Sequence, residues 1–166
     1  MLEHQHPELE SEKYVVFVDA ARRYTDCSDA VCELLGYDRS EILNKTIDDL
    51  SFDRTSVSRL FEKYVREGLQ DGEYILKDKA GKPVLIKYRA WVFNDHCNAA
   101  AWSPAEEWEQ LYLAALLELD LDALVHKINL ALGAIKKREL SLNGHYSEVR
   151  QKLRDANSAL RKLLPR

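Results

Sequence analysis

His126 is the residue whose surroundings come closest to a known reaction chemistry. It lies in the run Leu124-Val125-His126-Lys127-Ile128, on a helical segment that turns back as a hairpin, as the phosphoacceptor of a histidine kinase or phosphotransfer protein does. Such a histidine needs an adjacent carboxylate to raise its basicity and orient its ring, and Lys127 occupies that place. No glycine-rich nucleotide-binding segment follows. The sequence therefore predicts no catalytic residue, and phosphotransfer through His126 stays an alternative.

The cysteines and the first two histidines do not form a metal or redox motif. Cys27, Cys32 and Cys97 are odd in number and lack the C-x-x-C spacing of zinc and redox sites, so we expect reduced thiols that mostly fill the core. His4 and His6 lie in a polar leading segment and could hold a metal ion together, but a mobile leader is the simpler interpretation. We predict no metal site.

The charged clusters do not converge on a site either. Asp48 and Asp49 are adjacent, as are Glu106 and Glu107, and adjacent side chains on a helix diverge by about 100 degrees. We interpret both pairs as solvated helix starts. The basic residues near the C-terminus are not interleaved with the aromatic residues that nucleic-acid surfaces use. Because the net charge is also −4, we expect no nucleic-acid partner.

The composition is that of a folded chain. Its 166 residues are 46% hydrophobic and 31% charged, which suits one domain of about 100 residues plus an appendage. The first residues contain no apolar stretch that could serve as a signal peptide, and no later run approaches membrane-spanning length. We expect a cytoplasmic location and no membrane contact.

Alternating apolar residues and turn signals predict two β-hairpins and a final strand. Residues 14–18 and 22–26 form the first hairpin, and residues 73–77 and 84–93 form the second, around a turn in which Gly81 takes the required positive φ. Residues 97–102 supply the last strand. In the longest strand Lys87 and Arg89 are expected on the wet face, and the buried face is expected to carry Val84, Ile86, Tyr88, Ala90 and Val92.

Capping residues and helical periodicity predict a group of helices between the hairpins. Gly36 ends the first helix, and the capping-box pair Asp38 and Glu41 opens the second. Residues 46–50 add a turn, and apolar residues at three-and-four spacing predict a longer helix over 55–68. This order of elements predicts an α+β fold: a five-stranded antiparallel sheet with short helices on one face.

The tail is predicted to be a helical hairpin. Ser103, Pro104 and Glu106 supply a helix start, and the segment around Asp120 is a new cap or a kink. The first stripe continues to Leu119, and each helix has an apolar face that must pack on the sheet, on the other helices or on a second subunit. The predicted interaction stripe consists of Leu111, Leu124, Ile128, Val149, Leu153 and Leu160.

The segment Leu34 to Thr46 resembles the PAS family. It contains a leucine pair, Gly36-Tyr37, a short polar linker, and a Glu-Ile-Leu run before Lys45, with Asn44 where the family usually has glycine. The likeness extends over residues 14–102, and the tail also resembles a helical segment that accompanies bacterial PAS domains. The predicted organisation is a leader (1–13), a PAS domain (14–103) and a C-terminal helical hairpin (104–166).

The resemblance implies a small pocket between the sheet and the long helix. Its predicted walls, called the wall residues below, are Leu60, Phe61, Tyr64, Ile86 and Tyr88. Flavin-binding relatives carry an Asn-Cys-Arg-Phe motif that is missing here, and haem-binding relatives use a histidine on the long helix, which has none. His96, the only histidine within the domain, lies on a turn. The cofactor therefore stays open: a small organic ligand or none.

The sequence thus predicts a non-enzymatic PAS sensory module of bacterial signal transduction. It would sense a small ligand or dock a partner, and its C-terminal helices would relay that state or form a homodimer. The alternatives are a kinase or phosphotransfer fragment using His126 and a ligand-free structural or dimerisation adaptor.

Overall fold

The structure is a computed structural model that describes residues 11–54, 57–144 and 146–165, without the side chain of Ser58. His4, His6 and the predicted helix start at Thr55 lie outside the described residues. The chain divides into two compact units, with the boundary between Pro104 and Ala105. The first is called the sheet unit and the second the helical unit.

The sheet unit is built on the five-stranded antiparallel sheet that the sequence predicts. The strands are β1 (Tyr14–Val18), β2 (Tyr24–Cys27), β3 (Leu69–Lys77), β4 (Pro83–Asn94) and β5 (Cys97–Pro104). The strand order is β2-β1-β5-β4-β3, and every neighbouring pair is antiparallel. Both predicted hairpins, β1–β2 and β3–β4, are present.

Four helices lie between β2 and β3 in the sequence, and their ends follow local rules. Gly36 ends the first with φ of 73°, a left-handed conformation that favours glycine, and its N–H donates to the Cys32 carbonyl at 2.8 Å. The predicted capping box is confirmed, with the Asp38 N–H donating to Glu41 Oε2 at 2.9 Å. The helices are α1 (Asp29–Leu35), α2 (Arg39–Leu43), α3 (Ile47–Leu50) and α4 (Val57–Glu67).

Several strand boundaries differ from the prediction, and two of these differences reflect pairing with β4. β3 begins at Leu69 and not at Glu73, because its early residues pair with the far half of β4. β5 continues to Pro104, so that Ser103 pairs with Lys87 and does not cap a helix. The helix that follows is capped at Glu106 instead. In both places pairing with β4 overrides the local signal.

The predicted buried face of β4 is wrong at one position. Val84 and Ile86 are buried and Tyr88 and Ala90 are partly buried, but Val92 is 51% exposed. The register of β4 against β5 shifts between Val92 and Asn94, next to the hairpin turn. The shift interrupts the regular alternation there, so the buried row ends at Ala90.

The helical unit contains α5 (Glu107–Leu116), α6 (Leu121–Ser141) and α7 (Ser147–Leu163). The predicted new cap is confirmed, since Asp120 accepts from the Ala123 N–H at 2.8 Å, and α6 starts as a separate helix. Leu119 therefore lies between helices, 94% exposed, and does not continue the stripe as predicted. The three helices bury one apolar core, formed by Trp108, Ala115, Ile128, Ala131, Ile135, Leu142, Leu153, Ala156 and Leu160.

Among the described residues, no helix combines the length and the apolar character that crossing a membrane requires.

The contact between Glu41 and Lys79 makes a testable contribution to acid stability. The Lys79 ammonium donates to both carboxylate oxygens at 2.9 Å, and this contact, followed by the Asp38 N–H, lowers the pKa of Glu41. A lowered folded-state pKa gives stability that is present above the unfolded value, about 4.3, and lost as the pH falls through the folded value. We expect Glu41→Gln to reduce the melting temperature at pH 7, with a difference from wild type that shrinks below about pH 4. Thermal melts across pH measure it.

Glu33→Gln, on an exposed part of α1, is the matched control and should leave the melting temperature at pH 7 close to that of wild type. A Glu41→Gln difference that stays constant from pH 7 to acid would contradict the ionic origin of this contribution.

Candidate functional site

A cavity of about 110 Å³ lies within the sheet unit, between the sheet and the helices α3 and α4. All five wall residues line it: Leu60, Phe61 and Tyr64 from α4, and Ile86 and Tyr88 from β4. The structure thus brings the predicted walls together around one space. Their role in ligand binding stays a prediction.

The sheet side of the cavity is one continuous row of alternating residues on neighbouring strands. Cross-strand pairing places Val16 opposite Ala100, Ala100 opposite Ala90, and Ala90 opposite Gln70. Because alternate residues of a strand face the same side, the whole row turns toward the cavity. Its members that line the cavity are Val16, Val18, Asn98, Ala100, Trp102, Ile86, Tyr88, Ala90, Gln70, Tyr74 and Leu76.

Gly72 makes room for one wall residue. It pairs with Tyr88, and a Cβ on Gly72 would lie 3.1 Å from both the ring and the hydroxyl of Tyr88. The missing side chain lets the ring of Tyr88 lie close over β3, where it meets the ring of Tyr74 edge-on at 6.4 Å. The shape of this wall therefore depends on a glycine that the sequence pattern did not single out.

Two of the tyrosines in the lining donate hydrogen bonds to the protein. The Tyr64 hydroxyl donates to Asn98 Oδ1 at 2.9 Å, which ties α4 to β5. The Tyr74 hydroxyl donates to Ser51 Oγ at 2.6 Å, and Ser51 donates in turn to the Ile47 carbonyl at 2.6 Å. Burial raises the pKa of Tyr64 to about 12, so this phenol remains a donor at physiological pH.

Tyr24 differs from these two. It comes from β2, is only 2% exposed and lines the cavity, yet its hydroxyl makes no hydrogen bond with any residue that the structure describes. Burial is the first cause that raises the pKa of Tyr24, followed by the neighbouring Tyr74 and Cys27 and by the carboxylates Asp48 and Asp49. The phenol therefore stays protonated and keeps a free donor.

The cavity lining carries no charged side chain among the residues described. The nearest charged group in contact with a wall residue is Arg22, whose guanidinium lies 5.9 Å from the centroid of the Phe61 ring. Arg22 Nε also donates to Asp48 Oδ2 at 2.9 Å, which compensates its charge. The interior facing a ligand is thus neutral and mostly aromatic and aliphatic.

The cysteines lie outside the cavity lining described above, and all three are free thiols. Cys27 Sγ is 3.7 Å from Cys32 Sγ, and burial raises the pKa of Cys27 to about 12. A buried protonated thiol packs as a small apolar group and is a poor nucleophile. Within residues 11–54, 57–144 and 146–165, no three His, Cys, Asp or Glu side chains come together as a metal site.

The remaining candidate residues are the two histidines and the interaction stripe. His96 and His126 are both exposed, His96 on the β4–β5 turn and His126 on α6. In the interaction stripe, Ile128, Leu153 and Leu160 are fully buried in the core of the helical unit, and Leu111, Leu124 and Val149 pack against it. The helices therefore cover much of this stripe themselves. Its use by a partner stays a prediction.

The sequence profile of the PAS domain family matches residues 12–101, which is more than half of the chain. The protein belongs to the PAS family. This PAS domain coincides with the sheet unit that holds the cavity, and the family supplies sensory modules to signal-transduction proteins.

Solved structures show the same fold at low sequence identity. The PAS domain of an HTR-like protein from Haloarcula marismortui is 20% identical, with a TM-score of 0.51 over 57% of this chain and 83% of the other. A PAS domain from Colwellia psychrerythraea is 12% identical, with a TM-score of 0.51 over 59% and 93%. The light-state LOV domain of the blue-light photoreceptor Aureochrome1 is 14% identical, with a TM-score of 0.52 over 63% and 91%. A comparison with curated protein sequences finds no significant match.

The sequence reasoning missed most of the sheet side of this PAS cavity. It named Ile86 and Tyr88 but omitted their neighbours Trp102, Ala100 and Tyr74. The alternation Asn98, Ala100, Trp102 in the last predicted strand was a usable signal, because cross-strand partners of wall residues share their face. Tyr24 gave no such signal, since only the pairing of β2 with β1 and the burial of its ring reveal it.

Proposed function

We propose that the protein is a non-catalytic sensory module of bacterial signal transduction that binds a small molecule in the cavity of its PAS domain. The observation that carries this proposal is the cavity of about 110 Å³ that all five wall residues line. A concave, mainly apolar space with a few polar groups is the usual form of a small-molecule site. The cavity also favours a sensor over the ligand-free adaptor that the sequence left open.

Relay through the C-terminal helices is the second part of the proposal. β5 contributes Asn98, Ala100 and Trp102 to the cavity, and it runs into α5 with only Ala105 and Glu106 between them. A ligand that shifts β5 would therefore act on the start of the helical unit through the chain itself. We propose that this unit passes the state on, either to a signalling protein or to a second copy of the chain.

Three free cysteines favour a reducing compartment such as the cytoplasm as the place where this module acts. Phosphotransfer through the exposed His126 has no observation in its favour beyond the position of that residue on a helix.

A variant of the full chain in which a larger side chain fills the cavity tests both parts of the proposal. Ala100→Leu replaces a cavity-facing methyl group by an isobutyl group, which should occupy most of the space. Ala80→Leu, in the exposed β3–β4 turn, makes the same chemical change outside the cavity. We expect native mass spectrometry to detect a bound small molecule on wild type and on Ala80→Leu but not on Ala100→Leu. An absorption spectrum of the same samples identifies any chromophore.

Hydrogen exchange of residues 105–165 in the same three proteins tests the relay. We expect exchange to change in Ala100→Leu alone, because the filled cavity mimics an occupied one. If the three proteins carry the same amount of bound small molecule, or none, and exchange in the helical unit is unchanged, the sensing role is refuted.

A further inference from the structure

The cavity restricts its ligand by size and by charge. Apolar cavities of about 150 Å³ hold benzene, so a space of about 110 Å³ limits the ligand to about the size of one small ring. Burying an unpaired charge in such a space is costly, and no described residue of the lining supplies a counter-charge. The fitting molecule is therefore neutral.

The rings around the cavity favour an aromatic ligand. The lining includes six aromatic side chains, drawn from β2, α4, β3, β4 and β5. Aromatic rings prefer offset or edge-on contacts with other rings, and such contacts add to the effect of apolar burial. The edge-on pair of Tyr74 and Tyr88 leaves ring surface toward the space. A flat ring can meet this lining on several sides at once.

A deeply buried donor without a partner defines the polar end of the ligand. Among the four tyrosines of the lining, Tyr64 and Tyr74 donate within the protein, and the hydroxyls of Tyr24 and Tyr88 have no partner among the described residues. Of these two, Tyr24 is the buried one, whereas Tyr88 is only partly buried. Every fully enclosed polar side-chain atom in the described part of the chain has a hydrogen-bond partner, so the Tyr24 oxygen is not fully enclosed. Tyr24 is 98% buried and lines the cavity, so the cavity is the enclosed space next to this side chain. A buried donor without a partner favours a ligand that supplies an acceptor.

We infer that the PAS cavity binds a neutral one-ring aromatic molecule that bears a hydrogen-bond acceptor, and that the hydroxyl of Tyr24 donates to this acceptor. The inference rests on the proposed sensing function and adds the chemical class of its ligand. Carbonyl, ether and ring-nitrogen acceptors all satisfy the geometry of a single phenol donor.

Three probe molecules of similar size separate the features of this site. Acetophenone has a ring and a carbonyl acceptor, toluene has the ring without an acceptor, and benzoate has the ring with a negative charge. We expect calorimetric titration of the full chain to show acetophenone binding roughly tenfold more tightly than toluene, the effect of one hydrogen bond. Benzoate should bind more weakly than toluene. Benzoate binding as tightly as acetophenone would overturn the inference.

Two conservative variants assign the acceptor contact to one residue. Tyr24→Phe should weaken acetophenone binding roughly tenfold and leave toluene binding unchanged. Tyr37→Phe, a tyrosine of the same unit outside the cavity lining, should change neither. Circular dichroism and melting temperature verify that both variants fold, and the probe series on wild type tests the inference independently of them. Unchanged acetophenone affinity in a folded Tyr24→Phe would overturn the role of Tyr24.

Failure of this inference is distinguishable from failure of the sensing function. If none of the probes binds wild type while a molecule carried through purification is lost only from Ala100→Leu, the ligand class is wrong and sensing stands. If acetophenone binds Ala100→Leu as tightly as wild type, the cavity is not the site and both proposals fall.

Discussion

Replacing Ile86 by alanine is expected to lower the free energy of unfolding of the PAS domain by about 2–5 kcal/mol. Ile86 is 1% exposed, belongs to the buried core and also forms part of the cavity wall. The substitution removes buried methyl and methylene groups and joins their volume to a cavity already present. Urea unfolding, followed by hydrogen exchange of the strands β3 to β5, measures the change in this unit.

Val92→Ala is the matched control for Ile86→Ala. Both residues lie on β4 and both were predicted for its buried face, but Val92 is exposed. The control should change the free energy of unfolding by no more than about 0.5 kcal/mol. Equal losses in the two variants would contradict the position at which the buried row of β4 ends. The enlarged cavity of Ile86→Ala should also accept probes bulkier than acetophenone.

Replacing Leu153 by alanine is expected to destabilise the helical unit by about 2–5 kcal/mol. Leu153 is fully buried on α7 and packs in the same core as Ile128, Ile135 and Leu160. Shortening it leaves a cavity where helices meet, and rigid helices close such a cavity only in part. Hydrogen exchange of residues 105–165 in mild urea should show faster opening of all three helices.

Leu140→Ala is the control in this unit, since Leu140 lies on α6 and is 77% exposed. It should leave the exchange rates close to those of wild type. An effect of Leu140→Ala as large as that of Leu153→Ala would mean that the exposed leucine has a partner of its own, such as a second copy of the chain.

The elements that the sequence predicts well are those governed by neighbouring residues. The capping box of Asp38 and Glu41, the left-handed Gly36 and the turn at Gly81 all depend on backbone groups within a few positions. The order of strands and helices followed from these signals, and the resemblance of the segment Leu34 to Thr46 to the PAS family identified the fold. The new helix start at Asp120 belongs to the same class.

Tertiary pairing decided what local signals could not. Ser103 is a residue type that often caps helices, but it joins the sheet because it pairs with Lys87 on β4. Val92 follows the alternation of the buried residues of β4, but it lies beside a register shift and is exposed. The position of Tyr24 in the cavity depends on strands that are distant in sequence, and so does the room that Gly72 leaves for Tyr88.

The sequence alone determined the sheet with its helices, because capping, turn formation and alternation depend on neighbours along the chain. The resemblance of the segment Leu34 to Thr46 to the PAS family added the family and the five predicted residues of the cavity wall. Only the tertiary structure decided which face each strand end presents, how the helices cover their own stripe, and that the buried phenol of Tyr24 has no hydrogen-bond partner among the described residues. These features depend on contacts between residues far apart in sequence, where pairing and packing outweigh local preference.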